Sequence, residues 1–315
     1  MELKVSVIIP VRNGADTLAR AIDSALGQEY DDGLEVVVAN DGSTDSTAQV
    51  IASYGDRVRV VTLEPSGVSA ARNAAVSVAR GEYIAFLDAD DEWLPGKLQR
   101  TVPVLDGDSN CVLVYHDALA VDATGRICSD TYFPARSSAG PSLEDLLAGD
   151  DILTSCAVMR RDTYLRCGGC HPDLICAQDC YLWLLAREQG SFRFVPATLT
   201  RYRFVLTSRR EANYLKGTVI YERMVRERYG VRLKNAARLL DMCGSVHMAR
   251  GNRAIARARY LAALRRYPFA LRVYARLLWT FLPPSIASRL PSVIPRRFVR
   301  ALTGPPGGYW QCIAQ

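Results

Sequence analysis

Short unbroken apolar runs alternate, through the first third of the chain, with stretches whose apolar residues recur every three or four positions. Val5 to Ile9, Leu34 to Ala39, Val58 to Leu63 and Tyr83 to Leu87 have strand length, and the apolar run of the first predicts a strand buried on both faces. Between the first two, after a break at Pro10 to Gly14, Leu18, Ala21, Ile22, Ala25 and Leu26 mark one face of a helix. Ser46 to Tyr54 and Ser69 to Arg80 predict two more helices, the second stopped by Gly81. The resulting order βαβαβαβ specifies an α/β fold with a mostly parallel sheet covered on both sides.

Cys111 to Tyr115 extends the pattern with a fifth strand, after which it weakens from Asp117 to Gly140. Gly125 marks a hairpin there, and Ser137 to Ser142 a loop. Regularity returns at Ile152 to Met159, followed by a helix over Gln178 to Arg187 and strands at Phe192 to Pro196 and Leu199 to Phe204. Beyond Ser208 the periodicity is helical: Tyr214 to Tyr229, Ala236 to Ala249, Arg253 to Tyr267 and Ala270 to Phe281 precede a proline-rich tail. The expected domains are therefore residues 1–207, carrying the sheet, and residues 208–315, helical.

Composition narrows the class. Hydrophobic residues make up 49% and charged residues 23% of the 315 positions, which excludes a disordered or fibrous chain. Nine scattered cysteines and an opening, MELKVSVIIPVRNG, without the basic, apolar and small-residue order of a secretory signal predict a reducing, cytoplasmic setting. Arginines interrupt every apolar stretch after Tyr260, so no spanning helix is expected. The net charge of +6 conceals an asymmetry: Met242 to Gln315 holds twelve arginines and no lysine, aspartate or glutamate, leaving residues 1–241 at −6.

In a parallel sheet, ligands gather at the carboxyl ends of the strands. The residues there are polar: Pro10, Val11, Arg12, Asn13 and Gly14 after the first strand, Asn40, Asp41, Gly42, Ser43, Thr44 and Asp45 after the second, Asp88, Ala89, Asp90 and Asp91 after the fourth. The first strand is followed by neither GxGxxG nor GxxxxGK[ST], which counts against a dinucleotide dehydrogenase and a phosphate-loop enzyme. Clustered carboxylates repel unless a cation lies among them, and hard oxygen ligands suit Mg2+ or Mn2+, which in turn hold a diphosphate. An acidic turn capping the next helix is the plainer account of the same residues.

Three blocks resolve that choice. VSVIIPVRNGADTLARAIDSAL, VVVANDGSTDST and GVSAARNAAVSVARGEYIAFLDADDEWLPGKL follow one another in the order and spacing of the inverting glycosyltransferases of family 2, which the chain resembles over residues 3 to 205. AVMRRDTYLRCGG, AQDCYLWLLA and TRYR form a weaker second half of the resemblance. It implies the GT-A fold, a Rossmann-like nucleotide-diphospho-sugar transferase architecture, here with a C-terminal helical extension. It also implies roles. Pro10, Arg12 and Asn13 would touch the nucleoside, Asp41 would accept a hydrogen bond from the base, usually uracil N3, and Arg72 would lie near the nucleotide. Asp88 would stand at the ribose and metal edge, Asp90 would be the principal ligand of Mn2+ or Mg2+, and Asp179 would be the general base. The implied donor is a nucleoside-diphosphate sugar, UDP-linked, and the implied acceptor a hydroxyl on a lipid-linked or polysaccharide chain at the inner face of the cell membrane.

The chain departs from the family pattern mainly in the acceptor half. Gln178 precedes the base where glutamate is frequent, Tyr181 stands where aspartate is frequent, and Gly168, Gly169, Cys170 and His171 replace GGF[DE]. Val205 occupies the neighbourhood where many members carry a histidine that can ligate metal, so the metal site is expected to rest on Asp90, diphosphate and water. Cys167, Cys170, Cys176 and Cys180 with His171 include one CxxC, but the second pair is CxxxC, and reduced, partly buried thiols are the expectation over structural zinc. The arginine-rich tail, with Trp279 and Phe281, suits an amphipathic surface on anionic lipid; a solvated helical cap, or a helix pair of tetratricopeptide type over residues 251–268, would read similarly. Nucleic acid is not expected, because no recognition motif accompanies the charge. Two other functions compete: a sugar nucleotidyltransferase, which should carry a glycine-rich, lysine-containing loop that PVRNGAD lacks, and a non-catalytic, membrane-associated adaptor on the same fold.

Overall fold

The structure is a computed structural model. It describes residues 3–281 except 123, 133–136, 148–151, 204–207, 232, 234 and 250. Val205 and the proline-rich tail thus lie outside the described residues.

The first unit of the chain comprises Met1–Ala120 and Asp130–Arg203. It opens with β1 (Val5–Val11), α1 (Leu18–Leu26), β2 (Leu34–Asp41), α2 (Thr47–Ala52), β3 (Arg59–Leu63), α3 (Val68–Val78) and β4 (Tyr83–Phe86). β1 lies between β2 and β4, parallel to both, with Val5 opposite Leu34 on one side and Tyr83 on the other. Every residue of β1 is buried, as expected of a central strand, including Ser6, whose hydroxyl donates to Glu35 Oε1 at 2.6 Å. Leu18, Ala21, Ile22 and Ala25 of α1 pack onto this sheet.

The chain continues through β5 (Glu92–Trp93), α4 (Lys97–Gly107), β6 (Cys111–Val121), β7 (Ile127–Ser129), α5 (Leu143–Leu147), β8 (Ala157–Arg160), α6 (Arg161–Arg166), α7 (Gln178–Arg187) and β9 (Ser191–Arg203). The strand order is β3-β2-β1-β4-β8-β6-β9-β5, and beyond β4 the pairings β4 with β8, β8 with β6 and β9 with β5 are antiparallel. The parallel half is the βαβ region read from the sequence; the antiparallel half follows from the connections through residues 97–203.

Two local expectations are corrected. α3 ends at Val78, before Gly81, because Ala79 is already extended. Gly81 serves packing instead: a Cβ there would come within 2.5 Å of the Ser6 backbone nitrogen. Residues 191–203 form one strand rather than two, since Pro196 is exposed and β5 pairs only with Thr200 and Arg201, placing no ladder demand on the proline from that side. α4 runs through Pro103 while burying Leu98, Thr101, Val102 and Leu105.

The second unit holds Val121–Ser129 and the chain from Phe204 onward. The expected division between residues 207 and 208 falls at the edge of a stretch outside the described residues. At Gly125 (φ +86°) the chain turns, its N–H donating to the Asp122 carbonyl at 3.0 Å. The helices are α8 (Ser208–Tyr229), α9 (Asn235–Ala249), α10 (Arg253–Arg266) and α11 (Leu271–Trp279). Leu240, Ala256, Tyr260, Ala263, Leu264 and Val273 form their core. Not all the arginines are solvated: Arg276 is buried and donates to Asp241 Oδ2 at 2.6 Å. Arg257 donates to the hydroxyl and carbonyl of Thr280, both at 3.1 Å, and lies over the Phe281 ring.

Candidate active site

The loops after β1 and β2 are laced together. Asn13 adopts φ +53°, a left-handed conformation that asparagine tolerates better than most residues, and Arg12 beside it is exposed. The Asn13 side chain accepts the Thr44 N–H at 2.7 Å, while the N–H groups of Asn13 and Gly14 donate to Ser43 Oγ and Thr47 Oγ1, each at 3.0 Å. Gly42, at φ +62°, admits Pro65 so closely that a Cβ would meet its ring at 2.5 Å. Asp41 is 3% exposed and accepts the N–H groups of Ser66 at 2.6 Å and Gly67 at 3.0 Å. This carboxylate therefore fixes the entrance to α3, the helix that carries Arg72.

Arg72 is 2% exposed, and its Nη2 donates to Asp88. Burial pushes the guanidinium toward deprotonation, but Asp88, Cys170 and Asp179 outweigh it and hold its pKa above the ordinary arginine value. Two sequence-distant carboxylates, Asp88 and Asp179, thus share the field of one cation. Among the described residues, Arg72 Nε and Nη1 are buried and find no hydrogen-bond partner.

A 3-10 turn at Thr154–Cys156 joins the two sides of the site. The Thr154 hydroxyl donates to Asp179 Oδ2. Ser155 Oγ accepts the Asp88 N–H at 3.0 Å and donates to Asp91 Oδ2 at 2.5 Å. The Ser155 carbonyl accepts from Lys97 Nζ at 2.7 Å, Trp93 Nε1 at 2.9 Å and Thr200 Oγ1 at 3.2 Å. Asp179 lies in the first turn of α7, which starts after Ala177 at φ +57°, and its Oδ1 accepts the Cys180 N–H at 2.9 Å.

The three acids after β4 repel one another as expected of a cluster, yet each has a different environment. Asp88 faces Arg72. Asp91 is buried inward, and burial, then Asp90 and Asp88, push its pKa well above the carboxylate range despite the Ser155 hydroxyl and the Arg203 N–H. Asp90 is half-buried. Among the described residues no three His, Cys, Asp or Glu side chains are grouped to hold a metal. A strand-end carboxylate still fits Mg2+ or Mn2+ of the kind whose shell is completed by substrate phosphates and water. Cys167, Cys170, Cys176 and Cys180 are not joined in disulfides. Tyr164 donates to Cys170 Sγ at 3.5 Å, and burial pushes the Cys170 thiol pKa up.

Lys97, Thr154 and Ser155 were not singled out from the sequence. Lys97 is fully buried, 3.8 Å from the Trp93 ring centroid; burial drives its pKa well below the ordinary lysine value, with Cys156 and Asp91 opposing. Its signal was present, since it shares the apolar face of Leu98, Thr101, Val102 and Leu105. Thr154 and Ser155 carry no such mark.

A doubly wound α/β sheet with polar loops and carboxylates at the carboxyl ends of its strands defines a nucleotide-type site. Residues 6–164, about half of the chain, match the model of glycosyl transferase family 2, and the chain belongs to that family. It is 34% identical over 208 residues to an uncharacterized glycosyltransferase of Rickettsia felis, covering 64% of this chain and 34% of that protein. Chondroitin synthase of Pasteurella multocida is 40% identical over 131 residues, 41% of this chain and 14% of that protein. The chain spans only about a third of the Rickettsia protein's length. Among solved structures, S. aureus TarS residues 1–349 in complex with UDP has a TM-score of 0.53 at 16% identity, over 93% of this chain and 92% of that one, which shows the shared GT-A fold.

Proposed function

We propose that this chain transfers a sugar, with inversion, from a nucleoside-diphosphate sugar to a hydroxyl of a lipid-linked or polymeric acceptor in cell-envelope polysaccharide or glycolipid synthesis. A UDP-sugar is the donor of choice, since TarS has been crystallised with UDP and with UDP-GlcNAc. The observation that carries the reading is the single turn at residues 154–156, which binds Asp179 through one residue and the Asp88–Asp91 segment through the next.

In this reading Asp179 takes the proton of the acceptor hydroxyl as its oxygen attacks the anomeric carbon. The new glycosidic bond forms while the bond from that carbon to the diphosphate oxygen breaks, its electron pair leaving with the nucleoside diphosphate. A single in-line attack converts an α-linked donor into a β-linked product. Arg72, held charged behind Asp88, adds a fixed positive field toward the charge growing on the diphosphate. Asp90 would hold Mn2+ or Mg2+ together with the diphosphate and water, and the ion would supply further stabilisation of that charge. Pro10, Arg12, Asn13 and Asp41 would define the nucleoside end and Asp88 the ribose end.

No described helix is long and apolar enough to cross a membrane. Peripheral attachment at the inner face of the membrane would come from the second unit, where Phe269 and Leu271 are each 80% exposed, Leu278 68% and Phe281 61%.

The test is a thermal-shift screen of nucleoside diphosphates and their sugars with and without Mn2+, since a ligand of the native state raises its apparent stability. UDP and a UDP-sugar should give the largest shifts. Asp179→Asn should keep the donor shift and lose transfer; normal transfer by that variant refutes the base assignment. Pyrophosphate release from a nucleoside triphosphate and sugar 1-phosphate would point to a nucleotidyltransferase instead.

A further inference from the structure

We infer that Thr154 is a positioning residue for the base: its hydroxyl orients the Asp179 carboxylate against a turn that is itself pinned to the Asp88–Asp91 segment. The inference rests on the reading of Asp179 as the base and deepens it.

Asp179 is held at both oxygens, Oδ2 by the Thr154 hydroxyl and Oδ1 by the Cys180 N–H at 2.9 Å. The second bond comes from the next residue of the same helix, so it sets the carboxylate relative to α7 only. Thr154 belongs to a different segment and ties the carboxylate to the rest of the site. That segment has little freedom, because the Ser155 carbonyl receives three donors, from Trp93, Lys97 and Thr200. Ser155 Oγ also bridges the Asp88 N–H and the Asp91 carboxyl, and the Cys156 N–H closes the turn on the Leu153 carbonyl at 2.9 Å. Moving Thr154 would disturb the strand end that faces the donor.

Proton abstraction needs the base within hydrogen-bond reach of the attacking hydroxyl, and small misplacements are costly. Thr154 is 7% exposed. A valine would preserve its shape and remove only the hydroxyl.

Transfer, or UDP release from UDP-GlcNAc with Mn2+ where water replaces the acceptor, is measured for Thr154→Val, Thr154→Ser and Asp179→Asn, singly and combined. Thr154→Val should lower kcat by about 10- to 100-fold with KM for UDP-GlcNAc unchanged, the cost of a misplaced group rather than of lost binding. Thr154→Ser should restore most of the rate. In the Asp179→Asn background Thr154→Val should have no further effect, because the two residues act through one contact. Wild-type kcat for Thr154→Val, a raised KM in place of a lowered kcat, or an equal loss in the Asp179→Asn background each overturns the inference. Should the valine variant fail to fold, Thr154→Ala removes the same hydroxyl and is judged by the same outcomes. Failure of the parent reading looks different: Asp179→Asn itself would then transfer normally.

Discussion

Arg72 and Asp88 form an ion pair whose members face different surroundings: the guanidinium side chain is 3% exposed and the carboxylate side chain 32%. The carboxylate can reach a ligand from the open side while the guanidinium neutralises it from within. A positive charge so deeply placed is tolerated because Asp88 and Asp179 both stabilise it.

Removing that charge should therefore be expensive in two separable ways. Arg72→Met leaves the half-buried Asp88 without its counterion, and chemical denaturation should show a loss of about 3 kcal/mol, the lower end for breaking such a pair. The same variant should lose the thermal shift given by UDP. Arg72→Lys should recover part of the stability but not the nucleotide shift, because an ammonium lacks the planar fork. Full UDP binding by Arg72→Met would remove Arg72 from the nucleotide site.

Glu35 predicts an acid-side dependence of stability. Burial pushes its carboxyl pKa up, but the Ser6 hydroxyl, the Arg80 N–H and the Arg80 guanidinium together pull it below the usual glutamate value. A pKa depressed in the folded state gives stability that is present above the unfolded value, about 4.3, and lost as pH falls through the folded one. Glu35→Gln should lower Tm at pH 7, and the gap from wild type should close as the pH falls through the depressed folded-state value. A gap independent of pH would show that Glu35 acts through packing alone.

Gly81 makes a sharper demand than the helix-stop role read from the sequence. Gly81→Ala would place a Cβ 2.5 Å from the Ser6 nitrogen and 2.8 Å from its hydroxyl, at the centre of the Ser6, Glu35 and Arg80 hydrogen-bond set. The expected loss is about 1–3 kcal/mol, the range for overpacking a tight interior, measured by urea denaturation. An unchanged midpoint would mean that β1 can retreat.

Periodicity was enough for the parallel half of the sheet because β1, β2, β4 and α1 each bury an apolar surface of their own. It failed where burial is shared or delayed. The periodicity sets no bounds for α4, which accommodates Pro103 while burying Leu98, Thr101, Val102 and Leu105. The strand pair read at 192–204 proved continuous because Pro196 is exposed. For the site, acidic residues at strand ends were visible as a motif, while their separate environments were not. Asp88 meets Arg72 and Asp91 meets Ser155 only after chain segments 16 and 64 residues away are folded against them. Thr154 and Ser155 are ordinary polar residues in sequence, and only their contacts give them weight.

The second unit offers a surface test of membrane attachment. On α11, Leu271, Tyr274 and Leu278 are exposed at helical spacing, with Phe269 before them and Phe281 after, while Val273, Arg276 and Thr280 are turned inward. Arg265 and Arg266 are exposed at the end of α10, and no acidic residue follows Asp241. Deleting everything after Asp241 would be a poor experiment, because it removes Arg276 from Asp241 and dismantles the core around Tyr260. Phe269→Ser, Leu271→Ser and Leu278→Ser combined leave that core intact. The triple variant should lose most of its co-sedimentation with phosphatidylglycerol vesicles while keeping the wild-type Tm and UDP shift. Arg265→Gln with Arg266→Gln should weaken binding and reduce its salt sensitivity, since each basic residue near an anionic surface contributes about 1 kcal/mol. Vesicle binding unchanged in the serine variant would leave this apolar face without a role at the membrane.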